Sequence, residues 1–184
     1  MLFNAARRTY LSVGRKLPQY VCPFGDAAHH DEWVDLRSDT TTRPDEKMKH
    51  AMANSVLGDD GYGDCPTTNK LQSDMAALLG KEDALLVSSG CQANLISLML
   101  MAPTRGQAVL IGDKSHIATL ERGGIATLAG TMPRILPNED DGTIDLKALE
   151  DIIPKYDDVH IVPVMGICLE NTHGLEGRVL TPEY

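Results

Sequence analysis

No run of apolar residues in this 184-residue sequence approaches the ~20 that a helix needs to cross a bilayer, which sets aside a membrane-spanning reading. An excess of positive charge is missing too, since 17 Lys and Arg stand against 26 Asp and Glu for a net −9. Phosphate backbones select for basic faces, so this balance argues against a nucleic-acid partner. The four cysteines, Cys22, Cys65, Cys91 and Cys168, include no CxxC pair and no metal-like spacing. They read as reduced thiols of a cytosolic or mitochondrial-matrix protein. His29 and His30 have no clustered partners and read as solvated loop residues. Internal repeats and low-complexity stretches are absent. Acidic residues are absent from the first 25 positions, which hold Arg7, Arg8, Arg15 and Lys16. Such a start fits either a mitochondrial transit peptide or a basic tail, and no long apolar stretch follows Arg8 to make a secretory signal.

What remains is ordinary for a globular chain with one core: 42% apolar and 23% charged residues. Residues 1–32 read as a tail or targeting segment, and residues 33–184 as the folded part. Pro44 suits a first helical position, and Asp45 and Glu46 suit the positive end of a helix running to about Asn54. Residues 58–66 are a loop rich in Gly, Asp and Pro. Thr67 is expected to cap a helix whose Leu71, Met75, Leu78 and Leu79 form one apolar stripe, ended by Gly80. Residues 84–87 are a strand candidate. Residues 93–101 read as a helix apolar nearly all round, and hence buried. Residues 108–111 make a second strand. Residues 116–129 are mostly helical with a break at Gly123-Gly124, and Ile135-Leu136 belong to a third strand. Asp145 caps a helix carrying Leu146, Leu149, Ile152 and Ile153, and residues 159–169 are extended, interrupted by Pro163 and Gly166. Strands alternating with helices predict an α/β fold with a largely parallel sheet.

In open α/β sheets ligands collect outside the carboxyl ends of the strands. Three segments lie there: residues 88–91, 112–116 and 170–173. Ser88-Ser89-Gly90-Cys91 joins a strand to a helix. A helix start offers unpaired N–H groups and a positive dipole end, and a glycine lets an anion approach the backbone. A plain helix cap is the alternative. His116 can stack on a flat ligand or titrate near neutral pH, or it can be a satisfied loop residue. His173 invites the same two readings.

Six segments, taken in order, resemble the threonine aldolases. They are Asp35-Leu36-Arg37-Ser38-Asp39-Thr40; the stretch from Gly58-Asp59-Asp60-Gly61-Tyr62 to Pro66-Thr67; Ser89-Gly90-Cys91-Gln92-Ala93-Asn94; Ser115-His116-Ile117; Leu136-Pro137-Asn138 with Asp141-Gly142-Thr143-Ile144-Asp145; and Leu169-Glu170-Asn171-Thr172-His173. The resemblance implies the large domain of a fold-type-I enzyme dependent on pyridoxal 5'-phosphate, truncated, its mostly parallel sheet covered by helices on both faces. It implies cleavage of L-threonine or L-allo-threonine, a small amino-acid substrate, to glycine and acetaldehyde by a homo-oligomer. Ser89 and the N–H groups of Gly90 and Cys91 would hold the cofactor phosphate. The family usually has threonine where Cys91 stands, so a backbone contact survives and a hydroxyl contact does not. His116 would stack on the pyridine ring, Ser38 would hold the substrate carboxylate, and Tyr62 would line the site, from a partner subunit in a dimer. His173, alone or with His116, would sit near the β-hydroxyl, whose proton must leave.

The family also carries a lysine in a Ser-Lys-Gly-type segment, which binds the cofactor, and an aspartate in a His-x-Asp-Gly-Ala-Arg-type segment, which pairs with the ring nitrogen. Both follow the Glu170-Asn171-Thr172-His173 segment in the family pattern, and the sequence to Tyr184 contains neither. Lys81, Lys114, Lys147 and Lys155 fall in segments that match elsewhere. The expectation is an amino-terminal portion that is inactive alone, with a non-catalytic remnant that binds a partner subunit as the alternative. Other fold-type-I lyases and the cysteine desulfurases are disfavoured by the segments around Ser38 and His173.

Overall fold

The computed structural model describes residues 39–156 and 158–184. The expected tail of residues 1–32 and the candidate Ser38 lie outside the described residues. The chain divides into two compact units, the first ending at Leu57 and the second running from Gly58 to Tyr184.

In the first unit a short 3-10 turn, Asp39–Thr41, precedes helix α1, Glu46–Ala53. Asp45 rather than Pro44 opens this helix. Its carboxylate accepts the Met48 N–H at 2.7 Å, satisfying a first-turn donor, and Pro44 falls just outside.

In the second unit a 3-10 turn at Asp60–Tyr62 interrupts the glycine-rich loop, and α2 spans Pro66–Leu79. Cys65 takes the capping position expected for Thr67, because Pro66 occupies the first helical position, where its missing N–H costs nothing. Gly80 ends α2 with φ +61°, a conformation a side chain would disfavour. Of α2 only Ala76 is buried, and the stripe of Leu71, Met75, Leu78 and Leu79 is exposed. Residues 84–87 form no strand. The Leu86 N–H donates to Gln72 Oε1 at 2.9 Å instead of to a neighbouring strand, and Leu85 and Leu86 are exposed. Helix α3, Gly90–Met101, follows, capped by the Ser89 hydroxyl, which accepts the Gln92 N–H. It is not buried all round: Leu98 is buried, whereas Leu100 is 77% exposed.

Among the described residues the sheet has three parallel strands in the order β2-β1-β3: β1 Ala108–Gly112, β2 Met132–Leu136 and β3 Val164–Cys168. Between β1 and β2 lie α4, His116–Thr119, and α5, Gly124–Thr127, separated by Gly123 at φ +70°, as the glycine pair predicts. Helix α6, Leu146–Ile152, precedes β3 and is capped by Asp145 through the Lys147 N–H at 3.0 Å. Residues 159–163 are not strand, and Val159 is exposed, so the extended stretch is shorter than its apolar run suggests.

Every residue of β1 is buried. Successive side chains of a strand point to opposite faces. Val109 and Ile111 therefore pack with Leu98, Ala102, Ile117 and Ile125 on one side, while Leu110 packs with Leu136, Ile144 and Leu149 on the other. Helices cover both faces of the central strand, the expected α/β arrangement. Among the described residues, no helix is long and apolar enough to cross a membrane.

Candidate functional site

Strand β1 ends at Gly112, and Asn138 from beyond β2 locks the turn that follows. Its Oδ1 accepts the Lys114 N–H at 3.0 Å, its Nδ2 donates to the Gly142 carbonyl at 3.1 Å, and its own N–H donates to Asp113 Oδ1 at 2.8 Å. A Cβ at position 112 would run into the Asn138 amide, so only glycine lets this clamp close. The buried Ser115 hydroxyl donates to the Gly112 carbonyl at 2.7 Å.

The clamp delivers His116 to the surface, its side chain 47% exposed. Glu170, on the segment after β3, accepts the His116 N–H through one oxygen and the Gly174 N–H through the other, both at 2.6 Å. His116 Nδ1 lies 2.8 Å from Glu121 Oε1, and the same oxygen accepts from Asn94 Nδ2 of α3 at 2.7 Å. The Glu121 side chain is only 7% exposed. A carboxylate on Nδ1 holds the proton there and leaves Nε2 as the accepting nitrogen. Cys91, in the first turn of α3, completes the group: ligand atoms of Cys91, His116 and Glu121 all lie within 4.8 Å of one another. At Gly90 an added Cβ would meet nothing within 4 Å, so the helix start opens on free space. The first N–H groups of any helix lie outside its own hydrogen-bond ladder, and here Ser89 caps that of Gln92.

His173 is only 1% exposed. Its N–H donates to the Arg178 carbonyl at 2.8 Å, its Nδ1 receives the Glu176 N–H at 3.4 Å, and its buried Nε2 has no hydrogen-bond partner among the described residues. Glu176 also pairs with Lys114 Nζ at 2.7 Å, tying the turn after β1 to the segment after β3; that hydrogen bond holds the ammonium above its ordinary lysine value.

Of the residues singled out in the sequence, the structure brings Cys91 and His116 together at the end of Ser89-Gly90-Cys91, and ties His116 through Glu170 to the segment bearing His173. It does not draw in Tyr62, 88% exposed on its 3-10 turn. Sequence reasoning missed Glu121, Asn94, Glu170 and Asn138 as positioning residues. Glu170 and Asn138 stand inside the quoted segments, but Glu121 has no signal in the sequence, because only the fold puts it beside His116.

The chain is similar over 153 residues, at 47% identity, to a protein described as low-specificity L-threonine aldolase 1 of Arabidopsis thaliana, a match spanning 82% of this chain and 43% of that protein. It is 42% identical over 151 residues to the low specificity L-threonine aldolase of Escherichia coli K12, spanning 82% of this chain and 44% of that one. The chain thus spans less than half the length of these relatives. A solved threonine aldolase of Leishmania major superposes with a TM-score of 0.55 at 26% identity, covering 69% of this chain and 36% of that one. The sheet and its helices are accordingly part of the fold-type-I large domain. The sequence profile described as Beta-eliminating lyase matches residues 35–184, all of the described structure with a few residues before it, and the chain belongs to that family.

Proposed function

We propose that the chain supplies the cofactor-binding portion of a pyridoxal-phosphate-dependent carbon–carbon lyase that cleaves L-threonine or L-allo-threonine to glycine and acetaldehyde. The observation that carries this reading is the meeting of the α3 start with His116 at the carboxyl end of β1. The residues suit the cofactor. Open space at Gly90 leaves the helix start accessible to a phosphate, and backbone N–H groups with the helix dipole favour an anion there. His116, held at its ring edge by Glu121 and half-exposed, would lie against a flat heterocycle.

Bound there, pyridoxal phosphate would supply the electron sink for the pair released as Cα–Cβ breaks. Ser89, Gly90 and Cys91 would hold the phosphate, and His116 would orient the ring. Ser38 would hold the substrate carboxylate, and the exposed Tyr62 would line the site of a neighbouring subunit in a homo-oligomer. The β-hydroxyl proton would fall to a histidine: the half-exposed His116 through Nε2, or His173, whose buried Nε2 has no hydrogen-bond partner among the described residues.

A chimera tests the reading. The 184-residue chain is joined to the part of the Arabidopsis relative that lies beyond the matched region, and acetaldehyde is measured from L-threonine and L-allo-threonine with added pyridoxal phosphate. The chimera is expected to turn over, and the 184-residue chain alone, with neither the lysine nor the aspartate segment, is not. A folded chimera that takes up the cofactor but releases no acetaldehyde from either amino acid would reject the substrate assignment.

A further inference from the structure

We propose that Cys91, His116 and Glu121 form a binding site for a thiophilic divalent cation such as zinc. Three separate segments contribute: the first turn of α3, the start of α4 and the loop between α4 and α5. Their sulfur, nitrogen and oxygen atoms already lie within 4.8 Å of one another. Around a tetrahedral zinc, with bonds of about 2.0–2.3 Å, such atoms sit roughly 3.3–3.6 Å apart. His116 Nδ1 and Glu121 Oε1, now 2.8 Å apart, need to separate by only about half an ångström, and the exposed Cys91 side chain is free to close in.

The donor set selects the ion. A thiolate with an imidazole and one carboxylate oxygen suits zinc, whereas magnesium demands an oxygen shell. Asn94, on the same face of α3 as Cys91, holds the Glu121 carboxylate and acts as the outer partner that orients a ligand. The exposure of Cys91 and His116 leaves a fourth position to water. On binding, the Cys91 thiol proton passes to solvent and the His116 proton moves from Nδ1 to Nε2 by exchange with solvent, so that a neutral imidazole ligates through Nδ1; three zinc bonds form, the His116–Glu121 hydrogen bond is given up, and no electron is transferred. Zinc and the proposed cofactor would compete for Cys91 and His116, so the metal site is read on the chain without added cofactor and stands or falls separately from that assignment.

The test is a titration of the full 184-residue chain with Co2+, followed by its thiolate-to-cobalt charge-transfer absorption, then displacement by Zn2+ against a chromophoric chelator, with Mg2+ as control. The expected result is one Co2+ per chain with a charge-transfer band that zinc removes and magnesium does not. Cys91→Ser abolishes the band. Glu121→Gln, which can still accept from Asn94, weakens zinc binding at least tenfold with an unchanged circular dichroism spectrum. Asn94→Ala weakens it by about 10–100-fold, as loss of an outer partner does. Absence of the band in the parent chain, or a band undiminished in Cys91→Ser, would overturn the proposal.

Discussion

His116 owes its position to others. Glu121 and Asn94 hold its ring, Glu170 holds its backbone, and the Asn138 clamp holds the turn before it. A ring fixed this way costs little further ordering when it meets a flat ligand. Stacking is worth about 0.5–1.5 kcal/mol beyond area burial, or roughly two- to thirteenfold in affinity. His116→Ala is therefore expected to weaken binding of reduced phosphopyridoxyl-glycine, a cofactor adduct that needs no lysine, by that factor. His160, whose N–H donates to Asp158 on an exposed turn, has no such place, and His160→Ala should leave binding within about twofold. Fluorescence titration reads both, and equal effects would count against the stacking role. Asp141 is a second residue with a definite sign. Its carboxylate accepts from the Thr143 hydroxyl at 2.6 Å and the Thr143 N–H at 3.0 Å, and the hydroxyl hydrogen bond first of all holds it below the usual carboxylate range. A depressed folded value stabilises the turn above the unfolded value, and the benefit is lost as pH falls through the folded one. Hydrogen exchange of the segment bearing Thr143, read by mass spectrometry, should show more protection than in Asp141→Asn at neutral pH, and the two should converge in acid. The sequence exposes Cys91 because it stands at a helix start, and His116 and His173 because they follow strands. It hides Glu121, whose role exists only once α3 and α4 are folded side by side.

At the level of elements, the carboxyl end of β1 depends on one contact made from both sides. Gly112 leaves the room and Asn138 fills it. Asn138→Ala would strip the Lys114 N–H of its acceptor, a loss of about 1–3 kcal/mol for a part-buried donor. Gly112→Ala would push the Asn138 amide aside and break the same bonds. The two changes should therefore not add: the double variant is expected to lose little more exchange protection across β1 than the worse single variant. Full additivity would show that Gly112 acts through something other than the clamp. The legibility of elements follows the same logic. The helix start at Asp145 and the break at Gly123 are local chemistry, and they stand where the sequence puts them, whereas α3 begins at Gly90, three residues ahead of the expected 93, because Ser89 caps it there. A strand needs a neighbour, so residues 84–87 and 159–162, apolar but without a strand partner among the described residues, form none, and only the Pro163 carbonyl just before β3 accepts from β1, through the Ala108 N–H.

For the whole molecule the central strand is finished and its flanks are not. Among the described residues β1 is covered on both faces and paired on both sides, while β2 and β3 each pair on one side only. β2 carries exposed Met132 and Ile135, β3 carries exposed Met165 and Ile167, and Leu78, Leu79, Leu85 and Leu100 are open on or beside the helices. Pro133 suits a strand at an edge, but no comparable residue blunts β3. Free N–H and C=O groups beside uncovered apolar side chains template association with another chain. Burying one large apolar side chain is worth about 1.5–3 kcal/mol, against a total stability of ~5–15 kcal/mol for a domain, so covering a handful of these residues is a strong drive. The net charge of −9 opposes it through repulsion, but charge does not pair a strand edge. The 184-residue chain should therefore self-associate as its concentration rises in sedimentation velocity, and should bind a dye that reports exposed apolar surface. Ile167→Lys, which places a charge on the β3 edge, should lower both signals, whereas a charge added at Val159, outside any strand, should change association much less. A monodisperse monomer with a sharp melting transition and no dye binding would show that these 184 residues close their own core, and that the open flanks of β2 and β3 are tolerated as ordinary surface.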